Sequence, residues 1–461
     1  MCHLHCNLAP AHVKVGSHCN DLLVFERSLI YAGRHPVVTG QSGETTDKKV
    51  AVHSSRRMKT LDHDAVVIGA GPAGLLTAWT IAARRHDVAV LEEHPKVGEP
   101  DHCAGLLSLS GLKILGLEPP QQVIQNTVRA ARIYAPSGRS LLVERGRHEA
   151  VVVDRRKFDA WLAERAVQAH ASIITGVKVR ALKTHDGSVV GVETLEDGAV
   201  VQRKAIVTID AEGVQGRLSG SVGLPMIHRT SKYPAYQYEV QGADVDDDLV
   251  EMYYGRQTAP GFFAWIIPLG DGRARVGLAS DFKSKPRLEA VMRHHPIISG
   301  KLVKASVLRG IGGTVLVGLP VKKTFMSGLV VVGDAAGMVK ATTGGGVVFG
   351  GISGKIAGKT AALAVSERDA SARSLGRYET SWRSLLLGQM RAMYLAQRAI
   401  SSFSDRGLDS LVKNADELSL TDTVKREGDM DMQGTTIAGL LANPRTMIAL
   451  LSAARYISPR F

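Results

Sequence analysis

Acidic residues, aromatic side chains and cysteines are all scarce in this 461-residue chain, and each shortage excludes a class of protein. Asp and Glu number 44 against 57 Lys and Arg, a net charge of +13 that suits an anionic partner. The basic residues are scattered, however, and aromatics make up only 5% of the chain. Without basic clusters interleaved with aromatic stacking platforms, nucleic-acid binding is not expected. A membrane surface or a phosphorylated lipid matches the charge better. No run reaches the roughly 18 consecutive apolar residues of a spanning helix, and residues 1–20 lack the continuous apolar core of a secretory signal. Of the four cysteines, Cys2, Cys6 and Cys19 crowd the N-terminal segment and leave Cys103 alone. That distribution speaks against a disulfide framework and for a reducing, cytoplasmic setting, with peripheral contact at a membrane surface left open.

Residues 1–60 read as an extension, expected to be disordered. Cys2, His3, His5, Cys6, His18 and Cys19 lack standard zinc spacing, so no metal site is expected there. Met58 immediately precedes the first strand-like run and is a natural start for the folded unit.

Glycine, by contrast, is abundant at 48 residues, and it concentrates where chain and ligand must approach closely. Asp64 opens a β-α-β pattern. Ala65–Ile68 is a wholly apolar strand, as in a parallel sheet covered on both faces. Gly69–Ala70–Gly71–Pro72–Ala73–Gly74 is a turn, and Leu75–Ala83 an apolar helix. Gly69 releases the chain from the strand, Gly71 lets amides approach a pyrophosphate, and Gly74 lets helix and strand pack closely. Ala73 lies in the same turn. The helix start supplies free N–H groups and partial positive charge for phosphates. Glu92 ends the second strand, where its carboxylate can accept from both ribose hydroxyls of an adenosine; Glu93 would point to the other side.

A second constellation starts at the apolar strand Leu329–Val332. It runs through Gly333–Asp334 to Gly344, Gly345 and Gly346, which lead into a helix expected from about Ile352 to Val365. It resembles the distal flavin motif of FAD-dependent aromatic hydroxylases, in which the aspartate binds a ribityl hydroxyl. Asp210–Arg217 resembles a third motif of that superfamily, with Glu212 standing where an aspartate is usual. The resemblance implies FAD as cofactor.

Two more segments resemble the geranylgeranyl reductases. Val97–Ser108 is similar to their GxPxxCxGxxS segment, which implies that Cys103 is catalytic and that Cys103 and Ala104 adjoin the flavin. Pro260–Pro268 is similar to their PxxYxWxFP motif, which implies a substrate pocket formed by Phe263, Trp265, Ile267 and Pro268. Phe263 replaces the motif tyrosine and Ile267 its phenylalanine, so the apolar lining is kept and a phenol is lost. Arg155–Leu162 is similar to the family's R-x-x-F-D-x-x-L, implying that Arg155 reaches the flavin.

The resemblance, over roughly residues 62–400, implies an α/β fold. A Rossmann-like FAD-binding domain of the interleaved hydroxylase type would comprise residues 62–220 and 310–365. An antiparallel-sheet substrate domain would take 221–309, and a helical region 366–461. The implied activity is reduction of C=C bonds in the geranylgeranyl chains of a membrane lipid, archaeal in type, with ferredoxin or NAD(P)H as electron donor. A flavin monooxygenase or halogenase is the alternative, followed by a quinone-linked electron carrier and a non-catalytic lipid or flavin carrier. The C-terminal residues Leu440, Leu441, Met447, Leu450 and Leu451, with Arg445, Arg455 and Arg460, suit either an anionic membrane surface or packing within the fold.

Overall fold

The computed structural model describes residues 59–196 and 198–457. Of the expected 1–60 extension, only Lys59 and Thr60 fall among the described residues, where they begin a strand; the Cys2–Cys19 segment lies outside them.

That strand, β1 (Lys59–Ile68), starts six residues before the apolar run because Lys59–His63 pair with Val201–Ala205 of the long strand Ala199–Asp210. Its apolar half, Ala65–Ile68, is buried on both faces. β2 (Val88–Glu92) lies parallel to it on the other side and pairs in turn with Ser172–Thr175. Leu329–Val331 adds in parallel beyond Ala199–Asp210 and brings the distal glycine motif beside the first. An antiparallel ribbon, Lys178–His185 and Ser188–Glu196, extends the same sheet.

Helix α1 (Pro72–Ala82) covers this sheet, with α2 (Arg155–Gln168) and α3 (Val347–Glu367) around it. The last begins five residues before its expected start, and the reason is packing. Gly350, Gly351 and Gly354 read locally as breakers, yet they form the surface on which α1 lies. A Cβ at Gly354 would stand 2.5 Å from the Ala73 carbonyl oxygen, and one at Gly351 would stand 2.8 Å from Leu76. The helices meet at backbone distance, which offsets the helix-weakening cost of glycine, about 1 kcal/mol each.

A second, seven-stranded sheet runs in the order Ser306–Leu316, Lys232–Gln241, Arg273–Ala279, Ala264–Gly270, Leu249–Tyr253, Ala130–Tyr134 and Ser140–Glu144. Three of these strands cross the expected boundaries. Ala130–Tyr134 and Ser140–Glu144 were expected with residues 62–220, but the first pairs in parallel with Leu249–Tyr253. Ser306–Leu316 spans the boundary expected at 310 and pairs with Lys232–Gln241. Alternating polarity says that one face is buried; it does not say against which sheet. Leu106–Ser108, Ala150–Val153 and Ile124–Val128 form a small third sheet, and from Val347 onward the described chain is helical, ending in α4 (Gln433–Ala442) and α5 (Pro444–Ala454). No single helix among the described residues is long and apolar enough to cross a membrane.

Candidate active site

The first glycine turn is fixed by its own geometry. Gly69 has φ +99°, and a Cβ there would stand 2.5 Å from the Ala211 carbonyl oxygen. One at Gly74 would collide with the Gly69 carbonyl. Gly71 differs: its Cβ position is open, with no atom within 4 Å, and it faces a cavity. Gly71 also N-caps α1 without a side-chain hydrogen bond, and the first turn carries no acid. The helix therefore presents unpartnered N–H groups beside open space, as a pyrophosphate requires.

The distal motif faces the same space. Asp334 stands half-buried on the cavity wall, directly against Gly346. Burial pushes its carboxyl up to about 6, opposed by the Arg155 guanidinium. Gly344, with φ +70°, turns against Val315 of the second sheet, and Gly346 caps α3, again without a side-chain bond. The donors and acceptors present thus fit a dinucleotide laid between two helix starts.

Cys103 lies in the loop after β2, on the cavity wall. Its Sγ accepts from the Gly105 N–H (3.4 Å), and its own N–H donates to Asp101 Oδ1 (3.2 Å). Arg155 faces it, forked onto Asp159 at 2.9 and 2.8 Å. Burial opposes the Arg155 charge, but Asp159 and Cys103 outweigh it and raise its pKa. Burial in turn raises the Asp159 carboxyl despite that arginine.

The loop is tied to the second sheet. Arg309 donates to both Asp101 Oδ2 and Glu239 Oε2 at 3.0 Å. The wholly buried Arg275 donates to the Ala104 carbonyl at 2.7 Å. Gln237 donates to the Cys103 carbonyl (3.1 Å) and accepts from Trp265 Nε1 (3.3 Å). Phe262 and Phe263 stack at 4.3 Å, with Trp265 edge-on to Phe263 and Tyr254 tilted against it.

One cavity of about 1610 Å³ brings together Gly71, Ala73, Gly74, Cys103, Ala104, Arg155, Phe263, Trp265, Ile267, Asp334 and Gly344–Gly346. Three expected residues do not line it. Gly69 lies beneath the turn, and Pro268 sits past the wall in its strand. The Glu92 carboxylate points at the loop but is already engaged: Oε2 accepts from the Ala70 N–H at 2.8 Å, and Oε1 lies 2.6 Å from His94 Nδ1. Glu93, paired with Lys178, reaches the cavity edge instead. Glu212 does line the cavity, and its Oε1 accepts from the Leu218 N–H at 2.6 Å.

Sequence reasoning missed one constellation. Lys340, beside the glycine turn, is buried and donates to Asp431 Oδ1 (2.6 Å) and to the Met430 carbonyl (3.0 Å). Ser108 donates to the other oxygen of the wholly buried Asp431. Thr342 and Gln433 bond at 2.6 Å alongside. Lys340 stands six places after Asp334 and could have been suspected; nothing around Asp431 marks it locally.

Two family models match the chain: the geranylgeranyl reductase catalytic domain over residues 232–309 and an NAD(P)-binding Rossmann-like domain over 67–99. Digeranylgeranylglycerophospholipid reductase 2 of Methanopyrus kandleri is 34% identical over 375 residues, 80% of this chain and 94% of that one. The reductase 2 of Methanothermobacter thermautotrophicus is 32% identical, covering 79% and 94%. A geranylgeranyl bacteriochlorophyll reductase-like protein from Thermoplasma acidophilum superposes with a TM-score of 0.77 at 27% identity, over 86% of this chain and all of that one. A flavin-dependent brominase shares the fold, with a TM-score of 0.66 at 17% identity over 86% and 99%. Sequence kinship over four-fifths of its length, on a Rossmann-like fold, places the chain in the geranylgeranyl reductase family.

Proposed function

We propose that this chain is an FAD-dependent reductase that saturates C=C bonds in the geranylgeranyl chains of a glycerolipid. The observation that carries the reading is the single cavity. Its one end is built of glycine turns and helix starts, and its other end is aliphatic and aromatic. A cofactor and a long apolar chain therefore share one enclosed space. The substrate class follows from the relatives named above.

Each residue has a part in this reading. Gly71, Ala73 and Gly74 admit the pyrophosphate to the start of α1, with Glu92 holding the turn through Ala70. Asp334 takes a ribityl hydroxyl, with Gly344–Gly346 bringing the start of α3 alongside. When bound, reduced flavin would supply the hydride for one alkene carbon, and a proton must reach the other. In this reading Cys103, on the cavity wall, gives that proton. Arg155 faces the thiol, and Asp159 keeps that guanidinium in place. Phe262, Phe263, Trp265, Ile267 and Tyr254 hold the chain and exclude water; Pro268 stiffens the same strand from behind.

The test is anaerobic and bypasses the natural donor, ferredoxin or NAD(P)H. The purified protein is reduced chemically and given a geranylgeranylated glycerolipid, while flavin absorbance and product mass are followed together. Two hydrogens gained per double bond, with flavin reoxidised in step, is the expected result. Flavin that stays reduced until oxygen is admitted would sink the reading for this lipid.

A further inference from the structure

Helices α4 and α5 meet at 88°, with Asn443 at the corner. Their outer face is the reverse of an ordinary surface helix, which turns charge toward water. On α5, Met447, Ile448 and Leu451 are 44, 55 and 65% exposed, while Thr446, Ala449 and Ala453 face inward. Leu441, at the end of α4, is 51% exposed, and Ile457, just past α5, is 54% exposed. Singly exposed aliphatics are commonplace; a contiguous group on one corner marks an interaction surface.

Charge narrows the partner. From Met432 to Ile457 the chain has no Asp or Glu, and its only charged residues are Arg445 and Arg455, both exposed. The corner is apolar in the middle and cationic at its edges. The inside of the corner supplies the second observation. Ile437, Leu440, Leu441 and Leu450 line the cavity. Leu441 belongs to both surfaces, so apolar wall and apolar exterior are continuous across the rim.

We propose that the α4–α5 corner seats in the interfacial layer of a bilayer bearing anionic headgroups, and that the cavity opens there to the hydrocarbon. Apolar side chains enter the acyl boundary while the arginines meet headgroup phosphates. A lipid chain can then pass between bilayer and cavity without crossing water. The corner lies on the membrane and does not span it. That the entering chain is geranylgeranyl rests on the function proposed above; the seating on a bilayer does not.

The test is flotation of the full, flavin-loaded protein with phosphatidylcholine vesicles, with and without phosphatidylglycerol. Binding should be strong only with the anionic lipid. The double variant Ile448→Glu/Leu451→Glu should weaken it at least about tenfold, and Arg445→Gln/Arg455→Gln should erase most of the preference for the anionic lipid. Both pairs are exposed, and unchanged flavin content and melting temperature would verify folding. On the unmodified protein, hydrogen exchange should show vesicle-induced protection confined to residues 437–457. Protection elsewhere, or binding indifferent to these variants, overturns the proposal. So does self-association lost in the glutamate variant without vesicle binding, which would assign the face to a second copy of the chain. Turnover on detergent-dispersed lipid without vesicle binding would remove this inference alone; vesicle binding without turnover would remove the function alone.

Discussion

The two ends of the cavity are built on different terms. At the dinucleotide end the backbone makes the surface: Gly69 and Gly74 cannot carry a Cβ, and Gly71 leaves open the space a ligand would fill. At the apolar end side chains make it, drawn from the second sheet and the C-terminal helices, with Phe262 stacked on Phe263 and Trp265 edge-on to it. A backbone surface tolerates no substitution, because a carbonyl cannot turn aside. A side-chain surface can repack, at a cost usually under about 1.5 kcal/mol for volume-conserving changes. The first end preserves a motif, and the second preserves only a character.

The sharpest way to break this comparison is Gly74→Val. Its Cβ and methyls would occupy the Gly69 carbonyl, so the expected product is protein without bound flavin, read from its absorbance after purification. Asp431→Ala should come next. It leaves Lys340 buried without its carboxylate, costing about 3–5 kcal/mol in a denaturant titration; a loss below 1 kcal/mol would show that water reaches the lysine.

Asp334→Asn probes the polar end by pH. The folded carboxyl titrates at about 6 against an ordinary value of 3.8, so it holds its proton more tightly when folded. Its favourable contribution is complete below 3.8 and is lost as pH rises through 6. The flavin-free Asn variant should therefore be more stable than the parent above pH 6, by at most about 3 kcal/mol, and equal to it near pH 3.5. Calorimetry across that range decides the matter. Asp210, which burial and then Glu212 push up to about 7, stays in both proteins and adds a common slope.

Glu92→Ala removes the acceptor for Ala70 and should weaken flavin retention roughly tenfold, a loss within the range for a buried charged hydrogen bond. The smallest effect belongs to the apolar end. Trp265→Phe keeps an aromatic ring, though a smaller one, and loses the bond to Gln237, which orients the Cys103 carbonyl. A fall in turnover of about threefold is expected, roughly 0.6 kcal/mol. A fall of a hundredfold would show that this wall is as exacting as the glycine turn.

What the sequence disclosed follows the same division. The turn at Gly69–Gly74, the acid ending β2 and the Gly333–Asp334 pair were legible because each rests on a constraint acting within a few residues. Residues 128–153 alternate apolar and polar side chains, which marks strand but does not say which sheet, since both sheets offer a buried face. The early start of α3 was hidden because Gly350 and Gly351 look like breakers until α1 lies on them. Arg275 and Asp431 left no local sign: each is buried by partners more than 90 residues away, chosen by packing.

The bond between Lys340 and Asp431 joins the cofactor turn to the segment that leads into α4. Anything that steadies the turn must also steady that segment, because the two share one buried contact and its free energy. Flavin that fills the near end of the cavity should therefore protect the far end of the chain from protease. Flavin affinity and the resistance of the C-terminal helices to cleavage become two measures of a single equilibrium.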